Sequence, residues 1–140
     1  MPQHNMKIYL ASACLTGLKT RYDGKIIQSA ACKKAVEGVV CISVCPEQLG
    51  GLPTPRVAAD LVGGDGHDVL AGHARVITRD GLDVTGNFIL GARQVLEIAR
   101  QHDIAKIFLK AGSPSCGLAS KIGVTAALLQ NEGYTVIEME

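Results

Sequence analysis

Three of the five cysteines stand beside small, turn-forming residues: Cys14 in "SACLTG", Cys45 in "VCPEQLGG" and Cys116 in "KAGSPSCG". A thiolate is both a nucleophile and a soft metal ligand. Two of them brought together can form a redox pair. Three suit an iron–sulfur cluster, which Cys thiolates hold. Three protein ligands leave one iron of a four-iron cluster without one, and an open coordination position makes a metal site catalytic instead of structural. Zinc held by three Cys with one open position is the runner-up. The spacing is far wider than the local C-x2-C-x2-C run of ferredoxins, so any convergence has to come from the fold.

Residues near these cysteines add chemistry. Glu47, two positions after Cys45, is the best candidate for a general acid or base because it shares the same tight loop. Pairing with Arg56 is its ordinary structural alternative. Ser113 and Ser115 flank Pro114, and either hydroxyl can donate to a sulfur or a substrate, or simply stabilise a turn. Ser12 stands in the same relation to Cys14. Gly50, Gly51 and Gly117 let backbone approach a cluster or a flat ligand. "RYDG", Arg21 to Gly24, reads equally as a nucleobase holder, with a stacking Tyr22 and a hydrogen-bonding Asp23, and as a surface turn. His67 and His73 read as exposed loop residues, and "GGDG" does not match a phosphate loop.

The elements that must position these groups alternate between strand and helix. "KIYLAS" (7–12), "VVCISV" (39–44), "AKIFLK" (105–110) and "YTVIEM" (134–139) read as strands. "SAACKKAVEG" reads as a helix capped by Ser29 and stopped at Gly38, and "GVTAALLQNEG" as one that ends at Gly133. Val84 to His102 carries the strongest helical period, with Thr85 as its candidate cap. "CPEQLGGLPTPR" is too rich in Pro and Gly for regular structure. Asp80-Gly81 reads as a hairpin turn between "ARVIT" and "LDVTG". Strands separated by such helices imply a parallel sheet with helices on both faces, and ligands bind beyond the carboxyl ends of its strands. Cys14, Cys45 and Cys116 each follow a strand, so they are predicted to meet at one sheet edge. Cys32, inside a helix, and Cys41, mid-strand, read as buried small hydrophobes.

Bulk composition sets limits. A chain of 140 residues with 47% hydrophobic content fits a single domain over 1–140 with a real core. With 14 basic against 13 acidic side chains, net charge +1 gives no electrostatic ground for nucleic acid or a membrane surface. No targeting segment is visible, so a cytoplasmic protein with reduced thiols is expected.

"SACLTGLKTRYDG", "VCPEQLGGLPTPR" and "LKAGSPSCG", with "GLDVTGNFILGARQVLEIA" and "GVTAALL", resemble the signature blocks of a bacterial domain-of-unknown-function family that includes the thiouracil desulfidases. The resemblance covers nearly the whole chain. It implies a compact α/β domain of Rossmann-like three-layer type and a 4Fe–4S cluster on Cys14, Cys45 and Cys116. It also implies removal of sulfur from a thiolated pyrimidine or similar small heterocycle, the free iron taking the sulfur and water supplying the oxygen. The chain departs from that pattern after Cys116: "LASKI" alone bridges to "GVTAALL", where the family carries a longer Gly- and Ser-containing loop. A cluster- or zinc-binding sulfur carrier without turnover is the rival reading, and a metal-free thiol redox protein the third.

Overall fold

The structure is a computed structural model that describes residues 7–27, 29–118 and 121–140. Four parallel strands form the main sheet in the order β2-β1-β5-β6: β1 Ile8–Ser12, β2 Val40–Val44, β5 Ile104–Lys110 and β6 Val136–Met139. Parallel strands are buried on both faces, which is why their sequences read as apolar runs and not as alternations. Tyr9 and Ala11 of β1 pack on one face with Leu15, Phe108 and Cys32, the last from helix α1 (Ala30–Ala35). Leu10 packs on the other with Val95, Ile107, Leu109 and Leu129, under α4 (Thr85–Arg100) and α5 (Val124–Asn131). Helices therefore cover both faces, as the alternation predicts. None of the described helices is long and apolar enough to cross a membrane.

A second, antiparallel pair, β3 (Ala59–Val62) and β4 (Arg75–Thr78), lies beside the main sheet. It packs on Val69, Val84, Phe88 and Val124. The turn at Asp80-Gly81 is present, with Gly81 at φ +94°, and the expected pairing across it is short: an antiparallel bridge, Ile77 to Asp83, with Thr78 N donating to Leu82 O at 2.8 Å and Val84 N to Val76 O at 2.9 Å. The longer partner of β4 is β3.

Several local expectations change. Ser29 caps α1 as read, its hydroxyl accepting from Cys32 N at 3.1 Å. Helix α4 begins at Thr85, but Val84 is the cap residue. The Thr85 hydroxyl accepts from Val76 N at 2.9 Å instead, and the Asp83 carboxylate accepts from Thr85 N. A helix of one turn, α2 (Pro46–Leu49), opens the stretch read as irregular. Pro at the first helical position loses no hydrogen bond, so the same residue that argues against a helix interior starts one here. Another short helix, α3 (Gly66–Leu70), occupies the Gly-rich middle. Asp65 and Asp68 form its capping box, each carboxylate accepting from the other's backbone N–H. His67 thus lies on a helix, exposed, while His73 is exposed beyond it.

Candidate active site at the strand ends

In register, Ser12 of β1 lies opposite Val44 of β2. The chain leaves these neighbouring strands at the same level, so Cys14 and Cys45 emerge side by side. Phe108 of β5 pairs with Ala11 on the other flank, and Lys110 N donates to Ser12 Oγ at 3.0 Å, which ties the third exit to the first. The "SPSCG" turn follows. Cys14, Cys45 and Cys116 all line one cavity of about 520 Å³ beyond these strand ends, together with Ser12, Glu47 and Ser115. Cys32 and Cys41 do not line it; Cys32 is the buried residue of α1, and Cys41 of β2 packs against the same cluster.

The third arm is shaped by its own hydroxyl. Ser113 Oγ accepts from the backbone N–H groups of Ser115 and Cys116, both at 3.2 Å. Gly117 N closes the turn onto Ser113 O at 2.8 Å, where a side chain on Gly117 would crowd that carbonyl. Helix α5 then sits on the turn: Val124 N donates to Pro114 O, and Thr125 N and Ala126 N to Ser115 O. The backbone of Cys116 is therefore held from two sides. With its lone pairs taken by amides, Ser113 has its proton free for Ser115 Oγ, 2.9 Å away. Ser115 in turn lies 3.1 Å from Glu47 Oε2 and 3.5 Å from Cys116 Sγ. A carboxylate accepts more strongly than a thiol, so the relay runs Ser113 to Ser115 to Glu47.

Glu47 is held on both oxygens. Arg56 Nε donates to Oε1 at 2.8 Å, and the pair is mostly enclosed, with side-chain exposures of 14% for Glu47 and 7% for Arg56. Burial pushes the Cys116 thiol up to about 12, against the smaller downward pull of Ser12 and Ser115. Burial raises Cys14 as well, helped by the neighbouring Cys45. Among the described residues no three His, Cys, Asp or Glu close on a single ion.

Some expected site residues lie elsewhere. Gly50 does not line the cavity; it faces α4, where a side chain would strike the Asn87 carbonyl. Gly51, exposed at φ +93°, turns the chain out of α2 and also lies off the cavity. Gly50 serves close backbone packing and Gly51 the turn. Asp23 is off the cavity too, its carboxylate forked on Arg21, so Arg21 and Tyr22 are the part of "RYDG" that faces the site.

Other residues on the cavity went unread: Lys110, the hairpin wall from Ala58 to Leu61, Arg79 and Lys121. Lys110 had a readable signal, since it ends a predicted strand and so lies at the sheet's carboxyl edge. Nothing local in the hairpin's sequence marks it as a wall.

Residues 9–140 match the sequence profile of the 2-thiouracil desulfurase family. The uncharacterised protein YbbK of Bacillus subtilis strain 168 is 41% identical over 140 aligned positions, spanning 91% of this chain and 93% of that one. A solved structure titled as a 4Fe–4S-dependent thiouracil desulfidase, TudS, is similar at a TM-score of 0.77 and 36% identity, covering 94% of this chain and 90% of its own. With the profile matched from the first strand to the last residue, the chain belongs to the 2-thiouracil desulfurase family.

Proposed function

We propose that this chain is a desulfidase in which Cys14, Cys45 and Cys116 hold a 4Fe–4S cluster and the substrate is a thiolated pyrimidine or similar small heterocycle. The observation that carries the reading is the meeting of three thiols, from three strand ends, with a doubly held carboxylate on one cavity. The similar solved protein, described as 4Fe–4S-dependent, supports it.

The donor set fits such a group. Burial alone keeps Cys14 and Cys116 protonated at neutral pH, whereas coordination to a metal removes the thiol proton outright. Sulfur ligands also need donors around them, and Arg56 at 3.8 Å from Cys45 supplies one.

When bound, the cluster supplies a Lewis-acidic iron for the sulfur of the substrate. The protein supplies the rest. Exchange of C=S and water for C=O and hydrogen sulfide is redox-neutral, so it calls for proton handling and not for electrons. Glu47 Oε2 accepts the two protons of water in turn, one on attack and one from the new hydroxyl as C=O forms, and passes each to the departing sulfur. Ser115 Oγ, itself fed by Ser113, keeps that oxygen directed at the cavity. Lys110 ends β5 at the cavity, its ammonium donating to Ala111 O at 3.0 Å.

The test is anaerobic reconstitution of the full chain with iron and sulfide, followed by incubation with 2-thiouracil. Uracil and sulfide released in equal amounts support the proposal. A loaded protein that releases neither is a carrier or binding module, and a chain that takes up no iron overturns the proposal altogether.

A further inference from the structure

Arg56 does more than pair with Glu47. Each of the five N–H groups of its guanidinium has an acceptor. Nε donates to Glu47 Oε1 at 2.8 Å, one terminal nitrogen to Pro53 O at 3.1 Å and Thr54 Oγ1 at 2.9 Å, the other to Thr20 O at 3.0 Å and Cys45 Sγ at 3.8 Å. Its backbone N–H donates to Tyr22 O at 2.7 Å. The side chain thus joins the loop after Cys14 to the turn that carries Cys45 and Glu47. It also stands, with Glu47, between the main cavity and a second one of about 330 Å³ lined by Leu52, Pro55 and Phe88.

Resting on the desulfidase reading above, we propose that Arg56 is the positioning residue of the site. It occupies one oxygen of Glu47 so that only Oε2 addresses Ser115 and the cavity, and it sets a fixed cation against the Cys45 sulfur. The fork geometry matters. A lysine ammonium is a point charge on a flexible stem and cannot meet two carbonyls, a carboxylate and a sulfur in one plane. The pair also lines both cavities and so forms part of the wall between them. A mere staple between loops would use the same contacts but would not set the direction of Glu47.

The experiment compares R56Q, R56K, E47Q and the R56Q/E47Q double variant in the anaerobically reconstituted full chain. Iron content, Tm, cluster midpoint potential, and kcat and KM on 2-thiouracil are read. R56Q is expected to lower kcat about 10–100-fold, the range for groups that orient a catalytic ligand, with KM moved far less. R56K is expected to recover only part of that loss. In the E47Q background R56Q is expected to cost little more, because residues acting through one another are not additive. The midpoint potential is expected to move negative in R56Q and to stay closer to wild type in R56K, since hydrogen bonds and charge at the sulfurs set it.

Losses in kcat that multiply in the double variant, or a lower Tm with kcat intact, overturn the proposal. Where R56Q fails to keep iron, R56K carries the comparison, and full wild-type kcat in R56K overturns it. Wild type that loads iron yet releases no uracil refutes the desulfidase reading instead. Arg56 is then judged by the midpoint potential and by the Tm cycle: an unshifted potential, or Tm losses that simply sum in the double variant, overturn its role.

Discussion

Ser115 Oγ donates to Glu47 Oε2 at 3.1 Å across 68 positions of sequence. This bond joins the arm that follows β5 to the arm that follows β2, and it ends at the oxygen Arg56 leaves free. A hydroxyl only 2% exposed has no solvent to fall back on, so its alignment is fixed by its partners.

Replacing that hydroxyl tests the relay. Ser115→Ala is expected to lower kcat on 2-thiouracil about 10–100-fold while iron content stays at the wild-type level. Unchanged turnover would leave Ser115 a loop-shaping residue only. Ser113→Ala is expected to act on stability first. It strips the acceptor from two partly buried amides, a loss of about 1–3 kcal/mol that urea unfolding of the apo-protein reads.

The cysteines are expected to divide cleanly. Cys14→Ser, Cys45→Ser and Cys116→Ser each lose most of the reconstituted iron and its visible absorbance. Cys32→Ser keeps the iron, because Cys32 is fully buried on the inner side of α1 and away from the cavity. Equal loss from Cys14→Ser and Cys32→Ser would break the ligand assignment.

Helices α2 and α4 touch backbone to backbone. A side chain on Gly91 would run into the Pro46 carbonyl, and one on Gly50 into the Asn87 carbonyl, while Asn87 Nδ2 donates to Gly50 O at 2.9 Å. Neither obstacle is a flexible side chain, so Gly91→Ala has to push α2 away. The expected cost is about 1–3 kcal/mol, as for overpacked cores, read by denaturant unfolding. Because α2 carries Glu47 directly after Cys45, iron loading is expected to fall as well. A variant with wild-type stability and loading would show that α2 is not positioned by this contact.

Asp83 gives the fold part of its acid response. Its carboxyl is held at about 2 by the Thr85 hydroxyl first, then by the Thr85 N–H and Arg75. A carboxyl depressed in the folded state favours folding above its ordinary range near pH 4. That contribution is lost as pH falls from there towards 2. Asp83→Asn is therefore expected to lower Tm at neutral pH and to flatten the decline in Tm between pH 5 and 2. The pair with Arg75 is exposed, so added salt should shrink the difference. Parallel Tm curves for the two proteins would assign the acid response elsewhere.

The parts of the fold that were legible in the sequence are those whose signals are local. Apolar runs such as "KIYLAS" and "AKIFLK" became β1 and β5, and the helical period from Phe88 to Ala99 became the buried stripe of α4. Asp65 with Asp68, and Pro46 directly after an extended Cys45, are start signals that the Gly and Pro around them obscured. β3 escaped notice because "ADLV" becomes a strand only by pairing with β4, a partner sixteen positions from Ala59 to Arg75 along the chain.

The sequence by itself determined which thiols can meet. A parallel sheet puts all its strand exits on one edge, so Cys14, Cys45 and Cys116 were bound to share a side once their strands were recognised. What the tertiary structure alone decided is the company around them. Whether Glu47 would turn to Arg56, to Ser115 or to solvent depends on side chains brought together from distant segments. So do the diversion of Gly50 to α4 and the hairpin wall of the cavity. Composition and spacing carry no record of these contacts, because each depends on packing against a partner that no local pattern specifies.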